Sequence, residues 1–214
     1  MKRASTGNPY VRPHPIRRRL KNRARELIKG DRQAVVLHSL PADGAGAEIG
    51  VWKGDMSAKL LRRVQPRSLL LVDPWAYSPQ FGDSLFGGVA ARSQADMDAI
   101  CDGVRERFSG QIAAGTVRLH RGTSVQAAAA VPDGSLDWVY IDGNHAYEYV
   151  TEDLRTWYPK LRAGGLLTGD DYGGGPVWWQ DGVTRAVMEF VCERPVVAEV
   201  IYRQQYVLRK ASPD

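Results

Sequence analysis

The sequence predicts an α/β fold built on a mostly parallel sheet, because short apolar runs alternate with amphipathic stretches from about residue 34 onward. Five strands are predicted in the order AGAEIG, SLLLVD, TVRLH, LDWVYID and GLLTGDD, with helices between most of them. After a last helix around GVTRAVMEFVCE, the runs VVAEVIY and YVLRK are close enough to pair as an antiparallel hairpin around Arg203 and Gln204. We expect residues 33–214 to form a single domain.

The composition is that of an ordinary globular protein, with 43% hydrophobic and 25% charged residues. No apolar run approaches the roughly 20 residues that a membrane span needs. The basic N-terminus is not followed by the apolar region of a secretory signal. Only Cys101 and Cys192 occur, without a CxxC pair, which favours reduced thiols. We therefore expect a cytoplasmic protein.

Positive charge is concentrated in an N-terminal arm. Residues 1–32 hold 11 Lys or Arg against two acids, a net charge of +9, whereas the remaining residues hold 18 basic and 22 acidic side chains, a net of −4. Within this arm, IRRRLKNRARELI has the apolar spacing of an amphipathic helix. The arm would either dock on the domain with solvated arginines or contact nucleic acid, an anionic membrane surface or an acidic partner. Its helix would also suit a homodimer interface.

Two strand ends predict a site for an adenosine-type ligand, because ligands of open α/β sheets bind outside the carboxyl ends of the strands. The segment AEIGVWKGD places Glu48, Gly50 and Gly54 at a strand-to-helix turn, where the backbone can approach a ligand closely. A merely structural tight turn would have the same pattern. The next strand ends on Asp73, which can accept hydrogen bonds from both hydroxyls of a ribose or, with Pro74 following, cap a helix.

Other residues near these strand ends could contribute to the same site. Trp75 follows the ribose acid and could stack on the ligand or belong to the core. Thr123 and Ser124 follow the third strand in LHRGTSVQAA, where they could cap the next helix or contact the ligand.

Carboxylates at the next two strand ends predict a catalytic centre. Asp142 closes the fourth strand, and Asp170 with Asp171 closes the fifth. Such clustered anions repel unless a divalent cation that prefers oxygen ligands, such as Mg²⁺, neutralises them. The alternative is that one acid caps a helix and another faces water. His145 follows Asp142 by three residues, so its imidazole could remove a proton in the same cavity. We also expect Asp142 to contact the adenosine-type cofactor.

The segments around the catalytic centre supply a possible pocket. The Gly-, Ser- and Pro-rich stretch 78–88 is predicted to be a loop that can cover a site. Trp178 and Trp179 follow the acid pair and would shape a substrate pocket or lie buried under their loop. The stretch YEYVTEDLRTWYPKLRAGG is predicted to be one helix, stopped by Gly164 and Gly165.

The segments EIGVWKG, LVDPW, VYIDGNHAYEYVTEDLRTWYPKLRAGGLL and GDDY occur in an order that resembles the class I S-adenosylmethionine-dependent methyltransferases. The resemblance is to the macrocin-, mycinamicin- and novobiocin-type sugar O-methyltransferases in particular. It implies a Rossmann-like, seven-stranded, mostly parallel sheet with an antiparallel C-terminal hairpin and helices on both faces. It also implies S-adenosylmethionine over Gly50 with its ribose on Asp73, Mg²⁺ on Asp142, Asp170 and Asp171, and a sugar hydroxyl as methyl acceptor.

The resemblance also bears on the general base. Relatives of the mycinamicin type use a His three positions after the first metal-binding Asp, which His145 matches. Novobiocin-type relatives use an Asp two positions after it, where this chain has Asn144. The sequence therefore predicts Mg²⁺-assisted O-methylation of a sugar or natural-product glycoside with His145 as base. An RNA methyltransferase guided by the basic arm and a non-catalytic cofactor-binding module are the alternatives.

Overall fold

The structure is a computed structural model that describes residues 32–173, 178–202 and 204–212. The predicted basic arm, residues 1–32, therefore lies outside the described residues except for Arg32. Arg203, in the predicted hairpin turn, also lies outside them.

Strands and helices alternate along the described chain. The strands are β1 Ala45–Ile49, β2 Ser68–Asp73, β3 Val117–Arg121, β4 Leu136–Ile141, β5 Leu161–Gly169, β6 Val196–Tyr202 and β7 Gln205–Lys210. The α-helices are α1 Ala34–Ser39, α2 Asp55–Arg63, α3 Gln94–Arg107, α4 Ser109–Ala113, α5 Ser124–Ala129, α6 Tyr147–Trp157 and α7 Gly182–Glu193. Among these residues, no helix combines the length and apolar character that crossing a membrane requires.

The seven strands form one sheet in the order β3-β2-β1-β4-β5-β7-β6. The pairs from β3 to β5 are parallel, and β7 is antiparallel to both β5 and β6. The predicted mostly parallel sheet with an antiparallel C-terminal hairpin is confirmed. Because β1 and β4 are neighbours at the centre, the ends of β1, β2, β4 and β5 lie side by side along one edge.

Side chains that alternate along the strands build a core on each face of the sheet. Val139 packs in one core with residues of α6 and α7, whereas Trp138, next to it in β4, packs in the other core with residues of α1, α2 and α3. Leu71 and Val72 of β2 divide in the same way. Helices therefore cover both faces, as predicted.

One predicted boundary was wrong. Helix α6 ends at Trp157 and is followed by a 3₁₀ turn, Tyr158–Lys160, so that Gly164 and Gly165 lie inside β5 rather than at a helix end. Pro159 lacks the N–H that would continue the helix, so the chain leaves the helix there. Gly164 adopts φ +71°, which accommodates the shift in β4–β5 register between Leu136 and Trp138.

The predicted loop at residues 78–88 contains short helical turns. A 3₁₀ turn spans Pro79–Phe81 and a π turn spans Leu85–Val89. Their backbone contacts tie the loop to itself, since the Ser78 N–H donates to the Phe86 carbonyl at 3.0 Å. The segment is thus a compact loop beside the carboxyl edge of the sheet.

Candidate active site

Backbone hydrogen bonds continue past the strand ends and connect the predicted adenosine site, after β1 and β2, with the predicted catalytic centre, after β4 and β5. We call these two parts the cofactor half and the catalytic half. The Asp142 N–H donates to the Ile49 carbonyl at 2.7 Å, and the Asp170 N–H donates to the Ile141 carbonyl at 3.2 Å. The Gly50 N–H donates to the Val72 carbonyl at 2.9 Å. The residues after β1, β4 and β5 are therefore fixed relative to one another by the sheet itself.

Gly50 is the point where the two halves touch. Its φ of +88° is a conformation that L side chains rarely adopt. A Cβ at this position would lie 2.1 Å from the carbonyl oxygen of Asp142. Only glycine allows β1 to turn this closely past the end of β4.

Glu48 brings a buried carboxyl group to the predicted cofactor half. The side chain is fully buried, and the Ser57 hydroxyl donates to Glu48 Oε2 at 2.6 Å. Glu48 Oε1 is buried without a hydrogen-bond partner among the described residues. Burial raises the pKa of Glu48 well above its ordinary value, and the nearby Asp142 and Asp73 add to that effect. The site thus holds an unsatisfied polar atom beside the turn at Gly50 and Gly54.

Asp73 organises the turn between the first two strands. Its Oδ2 accepts hydrogen bonds from the N–H groups of Val51 at 3.0 Å and Trp52 at 2.9 Å, and its Oδ1 accepts from the N–H of Trp75 at 2.7 Å. Burial raises the pKa of Asp73, while these three backbone donors oppose the shift. No α-helix starts at Pro74, so the alternative of a simple helix cap does not apply. Oδ2 already accepts two N–H groups, whereas Oδ1 accepts one and keeps further acceptor capacity.

Trp75 is a core residue in this structure. Its side chain is completely buried in the core that α1, α2 and α3 cover. The indole N–H donates to the Trp52 carbonyl at 2.9 Å. The expectation that Trp75 stacks on a ligand is therefore not met, because the ring has no accessible face; the alternative, a core tryptophan, describes it.

Thr123 is the N-cap of α5. Its Oγ1 accepts from the Gln126 N–H at 3.2 Å, and Gln126 Oε1 accepts from the Thr123 N–H at 3.0 Å, which completes a capping box. Ser124 has a different set of partners, since its hydroxyl accepts from the indole N–H of Trp157 at 2.7 Å and hydrogen-bonds Asp153. The helix-cap alternative thus applies to Thr123, and Ser124 belongs to a buried polar group.

Asp153, on α6, is a candidate functional residue that the sequence interpretation missed. It is 6% exposed, and burial raises its pKa to about 7. A Cβ on Gly143 would lie 3.7 Å from Asp153 Oδ2, so the carboxyl group lies under the turn that carries Asp142. An acid at a buried helical position, three residues after Val150 and four before Trp157, is the sequence signal that would have found it.

The catalytic half gathers Asp142, His145 and Asp171. His145 lies between the two acids: its Nε2 is 3.4 Å from Asp142 Oδ1, and its Nδ1 is 3.4 Å from Asp171 Oδ2. One ligand atom from each of the three residues lies within 4.8 Å of the others. The predicted proximity of His145 to Asp142 and Asp171 is therefore seen directly in the structure.

The carboxylate of Asp170 is engaged differently from the predicted metal trio. Asp170 Oδ2 pairs with the Arg32 guanidinium at 3.0 Å and accepts from the Tyr140 hydroxyl at 3.3 Å. Its Oδ1 accepts from the Asp171 N–H at 2.7 Å. Asp171 adopts φ +58°, so the two acids do not follow the plain alternation of a strand. In the described residues, His145 rather than Asp170 completes the ligand-like cluster.

The pKa values of Asp142, His145 and Asp170 are raised, and burial and neighbouring charges both act on them. Burial lowers the pKa of His145, but the hydrogen bond to Asp142 and the negative charges of Asp142, Asp171 and Asp170 outweigh it, so the net direction is upward. Burial raises the pKa of Asp142, and the contact with His145 opposes that rise. Burial and then the negative charges of Asp142 and Asp171 raise the pKa of Asp170 to about 6. The centre holds more negative charge than its own cations neutralise.

The donor set fits a divalent cation. Two carboxylates and one imidazole, each with an atom close to the others, are ligands that such ions accept, and a second positive charge would relieve the repulsion between the acids. The cofactor half fits a nucleoside-bearing ligand, because Glu48 Oε1 lacks a partner and the turn at Gly50 leaves no Cβ in the way.

Aromatic side chains stand next to His145. The Trp179 ring lies 4.7 Å from the His145 ring, and Trp178 lies 5.4 Å from Trp179. Trp178 also contacts Phe81 at 5.4 Å and Phe86 at 6.4 Å, both in the loop at 78–88. We call these four residues, Phe81, Phe86, Trp178 and Trp179, the aromatic wall. Both tryptophans are partly buried, and the two phenylalanines were not singled out from the sequence.

The family profile described as a methyltransferase domain matches residues 47–172, more than half of the chain. This chain belongs to the class I S-adenosylmethionine-dependent methyltransferases. The matched region of the methyltransferase starts in β1 and ends just after β5, so it contains Glu48, Gly50, Asp73, Asp142 and Asp171. The class I methyltransferase recognised in the sequence is thereby confirmed. No curated protein sequence matches the chain significantly.

Solved structures share the fold of the methyltransferase at low sequence identity. A candidate O-methyltransferase from Klebsiella pneumoniae is 16% identical with a TM-score of 0.58, covering 95% of this chain and 93% of that chain. A candidate rRNA methylase from Clostridium thermocellum is 12% identical with a TM-score of 0.56, covering 82% and 90%. A candidate methyltransferase from Streptococcus mutans in complex with SAH is 14% identical with a TM-score of 0.50, covering 79% and 89%. Identities this low establish a common fold and do not name an acceptor.

Proposed function

We propose that this methyltransferase transfers the methyl group of S-adenosylmethionine to a hydroxyl of a small molecule, such as a sugar or a natural-product glycoside, with help from Mg²⁺. The convergence of Asp142, His145 and Asp171 beside the turn at Gly50 carries this proposal. It brings a potential base and two carboxylates to the edge where the methyl donor of such a fold would lie.

The cofactor is proposed to lie along the ends of β1 and β2. Glu48 Oε1 is an unsatisfied buried atom that a polar group of the cofactor could pair with, and Asp73 Oδ1 keeps acceptor capacity for a ribose hydroxyl. At Gly50 and Gly54, the backbone would approach the cofactor closely. Ser124 and Asp142 lie at the same carboxyl edge of the sheet. Thr123 and Trp75 contribute indirectly, by capping α5 and by fixing the turn that Asp73 organises.

His145 is proposed as the general base. When bound between Asp142 and Asp171, Mg²⁺ would lower the pKa of an acceptor hydroxyl and offset the charge of the acids. A ring nitrogen of His145 accepts the hydroxyl proton while the acceptor oxygen forms a bond to the methyl carbon. The carbon–sulfur bond breaks with its electron pair going to sulfur, which yields the methyl ether and S-adenosylhomocysteine. The proton on His145 then passes to solvent.

The aromatic wall is proposed to hold the acceptor. Rings partly open to solvent suit the apolar face of a sugar or of an aglycone, and Trp179 lies against the base itself. An acceptor that packs on this wall would have its hydroxyl directed at His145. Much of the rate gain would come from this positioning, because the sulfonium methyl is already activated.

A methyl-transfer assay tests the proposal. Labelled S-adenosylmethionine is offered with sugars, glycosides and catechols, with Mg²⁺ or with a chelator, to the wild type and to the His145→Ala variant. We expect turnover of at least one hydroxyl acceptor that needs Mg²⁺ and is lost in His145→Ala, while calorimetry shows that cofactor binding persists. His38→Ala, which changes a histidine on α1, is the matched control and should retain activity.

The same assay separates the alternatives. Methylation of RNA with strongly salt-dependent binding, abolished by deletion of residues 1–15, would favour an RNA methyltransferase guided by the basic arm. Failure to bind either S-adenosylmethionine or S-adenosylhomocysteine would favour a module that has kept the fold without the chemistry. The homodimer, the role of the arm and the cytoplasmic location stay predictions from the sequence.

A further inference from the structure

Arg32 places a permanent positive charge on the catalytic centre. Its guanidinium lies 3.0 Å from Asp170 Oδ2 and 3.3 Å from Asp171 Oδ1, and it donates to Gln204 Oε1 at 2.7 Å. The two acids follow Arg32 by about 140 residues in sequence, so this contact exists only in the folded chain. An arginine keeps its charge at every physiological pH.

The position of Arg32 is fixed by the element that follows it. Helix α1 begins two residues later and buries Ala34, Val36 and Leu37. Gln33, between Arg32 and the helix, accepts from Lys59 Nζ at 2.5 Å and reaches Asp170 Oδ2 at 3.5 Å. The guanidinium is therefore held at the acids by a packed helix, although its side chain is 42% exposed.

Asp171 is shared between a guanidinium and an imidazole. Its Oδ1 faces Arg32, and its Oδ2 faces His145, which also contacts Asp142. We propose that Arg32 is a built-in counter-cation of this centre, which pairs with Asp170 and Asp171 and thereby weakens the binding of a divalent cation between Asp142 and Asp171. This inference rests on the proposed metal site.

The physical reason is charge repulsion together with competition for a ligand. A guanidinium that contacts Asp171 lies a few ångströms from any ion bound to the same carboxylate, and their repulsion is only partly screened at a half-buried site. A cation that takes both oxygens of Asp171 must also break the contact with Arg32. By thermodynamic reciprocity, a bound cation loosens Arg32 to the same extent that Arg32 weakens the cation.

Calorimetry with Mn²⁺ as the probe tests this role on the full-length protein. In Arg32→Gln, which removes the charge, we expect Mn²⁺ to bind about tenfold more tightly than in the wild type. Arg32→Lys keeps the charge and should bind Mn²⁺ within about threefold of the wild type. Arg67→Gln removes an arginine that pairs with Asp137 at 3.0 Å, away from the centre, and is the matched control. Asp142→Asn should abolish Mn²⁺ binding in the Arg32→Gln background.

The outcomes separate this inference from the proposed function. Tighter binding in Arg32→Gln alone supports the counter-cation, and so does binding that appears only in that variant. Equal or weaker binding in Arg32→Gln, with measurable binding in the wild type, overturns the role of Arg32 and leaves the metal site standing. No binding in any variant overturns both the metal site and the counter-cation. Circular dichroism and melting curves confirm that each variant is folded.

Discussion

The two halves of the active site use buried acids in opposite ways. In the cofactor half, Asp73 accepts three backbone N–H groups and Glu48 accepts the Ser57 hydroxyl. In the catalytic half, Asp142 and Asp171 face His145, and Asp171 also faces Arg32. Acids of the first half are held by neutral donors, whereas those of the second half contact a permanent cation, Arg32, or an imidazole that becomes cationic when it is protonated.

This difference teaches what each half is built to do. Neutral backbone donors satisfy a carboxylate without a titratable partner, so the groups that hold Asp73 do not change their charge with pH. In the catalytic half, carboxylates surround an imidazole that can bind a proton, so the charge of this half changes when a proton or a cation binds. The first arrangement suits binding, and the second suits chemistry. The following predictions test that contrast.

The largest effect is expected in the catalytic half. Asp142→Asn removes a carboxylate that holds His145 and would hold the cation, so we expect kcat to fall by about 10³-fold. Because cofactor affinity depends mainly on the other half, the Kd for S-adenosylhomocysteine should stay within about threefold of the wild type. Steady-state kinetics and calorimetry measure the two quantities. Asp133→Asn, at an exposed position before β4, is the control. Unchanged kcat in Asp142→Asn would break the division between the halves.

In the cofactor half, Asp73→Asn should act on stability and binding rather than on chemistry. An amide offers one acceptor oxygen where three N–H groups now point, so the variant leaves backbone donors unpaired and should lose about 3 kcal/mol of unfolding free energy. Cofactor affinity should fall with it. Asp55→Asn, an exposed acid on α2 that pairs with Arg107, should change neither quantity. Denaturant unfolding measures the unfolding free energy, and calorimetry measures the cofactor affinity. A variant with wild-type stability would show that Asp73 does not hold the turn.

Asp153, which lies between the halves, gives a pH-dependent stability. Its pKa in the folded state, about 7, is raised above the ordinary 3.8, so its contribution to stability is present at low pH and is lost as pH rises through 7. Asp153→Asn cannot ionise, so relative to the wild type it should gain about 3 kcal/mol between roughly pH 5 and pH 8. The exposed neighbour Glu152→Gln is the control. If unfolding curves show the same difference in stability between Asp153→Asn and the wild type at both pH values, this expectation is contradicted.

The smallest effect concerns the proton affinity of His145. In the protein without a divalent cation, the pKa of His145 should lie above its ordinary value, and Asp142→Asn should lower it because the negative charge beside the imidazole is lost. NMR titration of the histidine ring protons measures both values, with His145→Gln identifying the resonance. An unshifted pKa in Asp142→Asn would mean that the imidazole does not depend on this acid.

Local sequence was enough to predict much of the fold and part of the site. Glycines and acids directly after apolar runs marked the carboxyl edge of the sheet, because a strand must end where the backbone turns toward solvent. Pro159 was also visible, yet the predicted helix ran past it to Gly164, since helix-stop signals compete and only packing chose between them. Trp75 was ambiguous for the same reason: its neighbours in sequence do not reveal which surface covers the ring.

The sequence by itself determined the succession of strands along the chain and the class of methyltransferase. It also placed Glu48, Gly50, Asp73 and Asp142 at the strand ends. These features depend on residues that are close together in the chain. Only the tertiary structure decided which acids share a partner. Asp170 pairs with Arg32 while Asp171 also reaches His145, and Asp153 is buried under the turn after β4. The direction of a side chain at a strand end is set by local backbone angles and by partners from distant segments, which no short stretch of sequence contains.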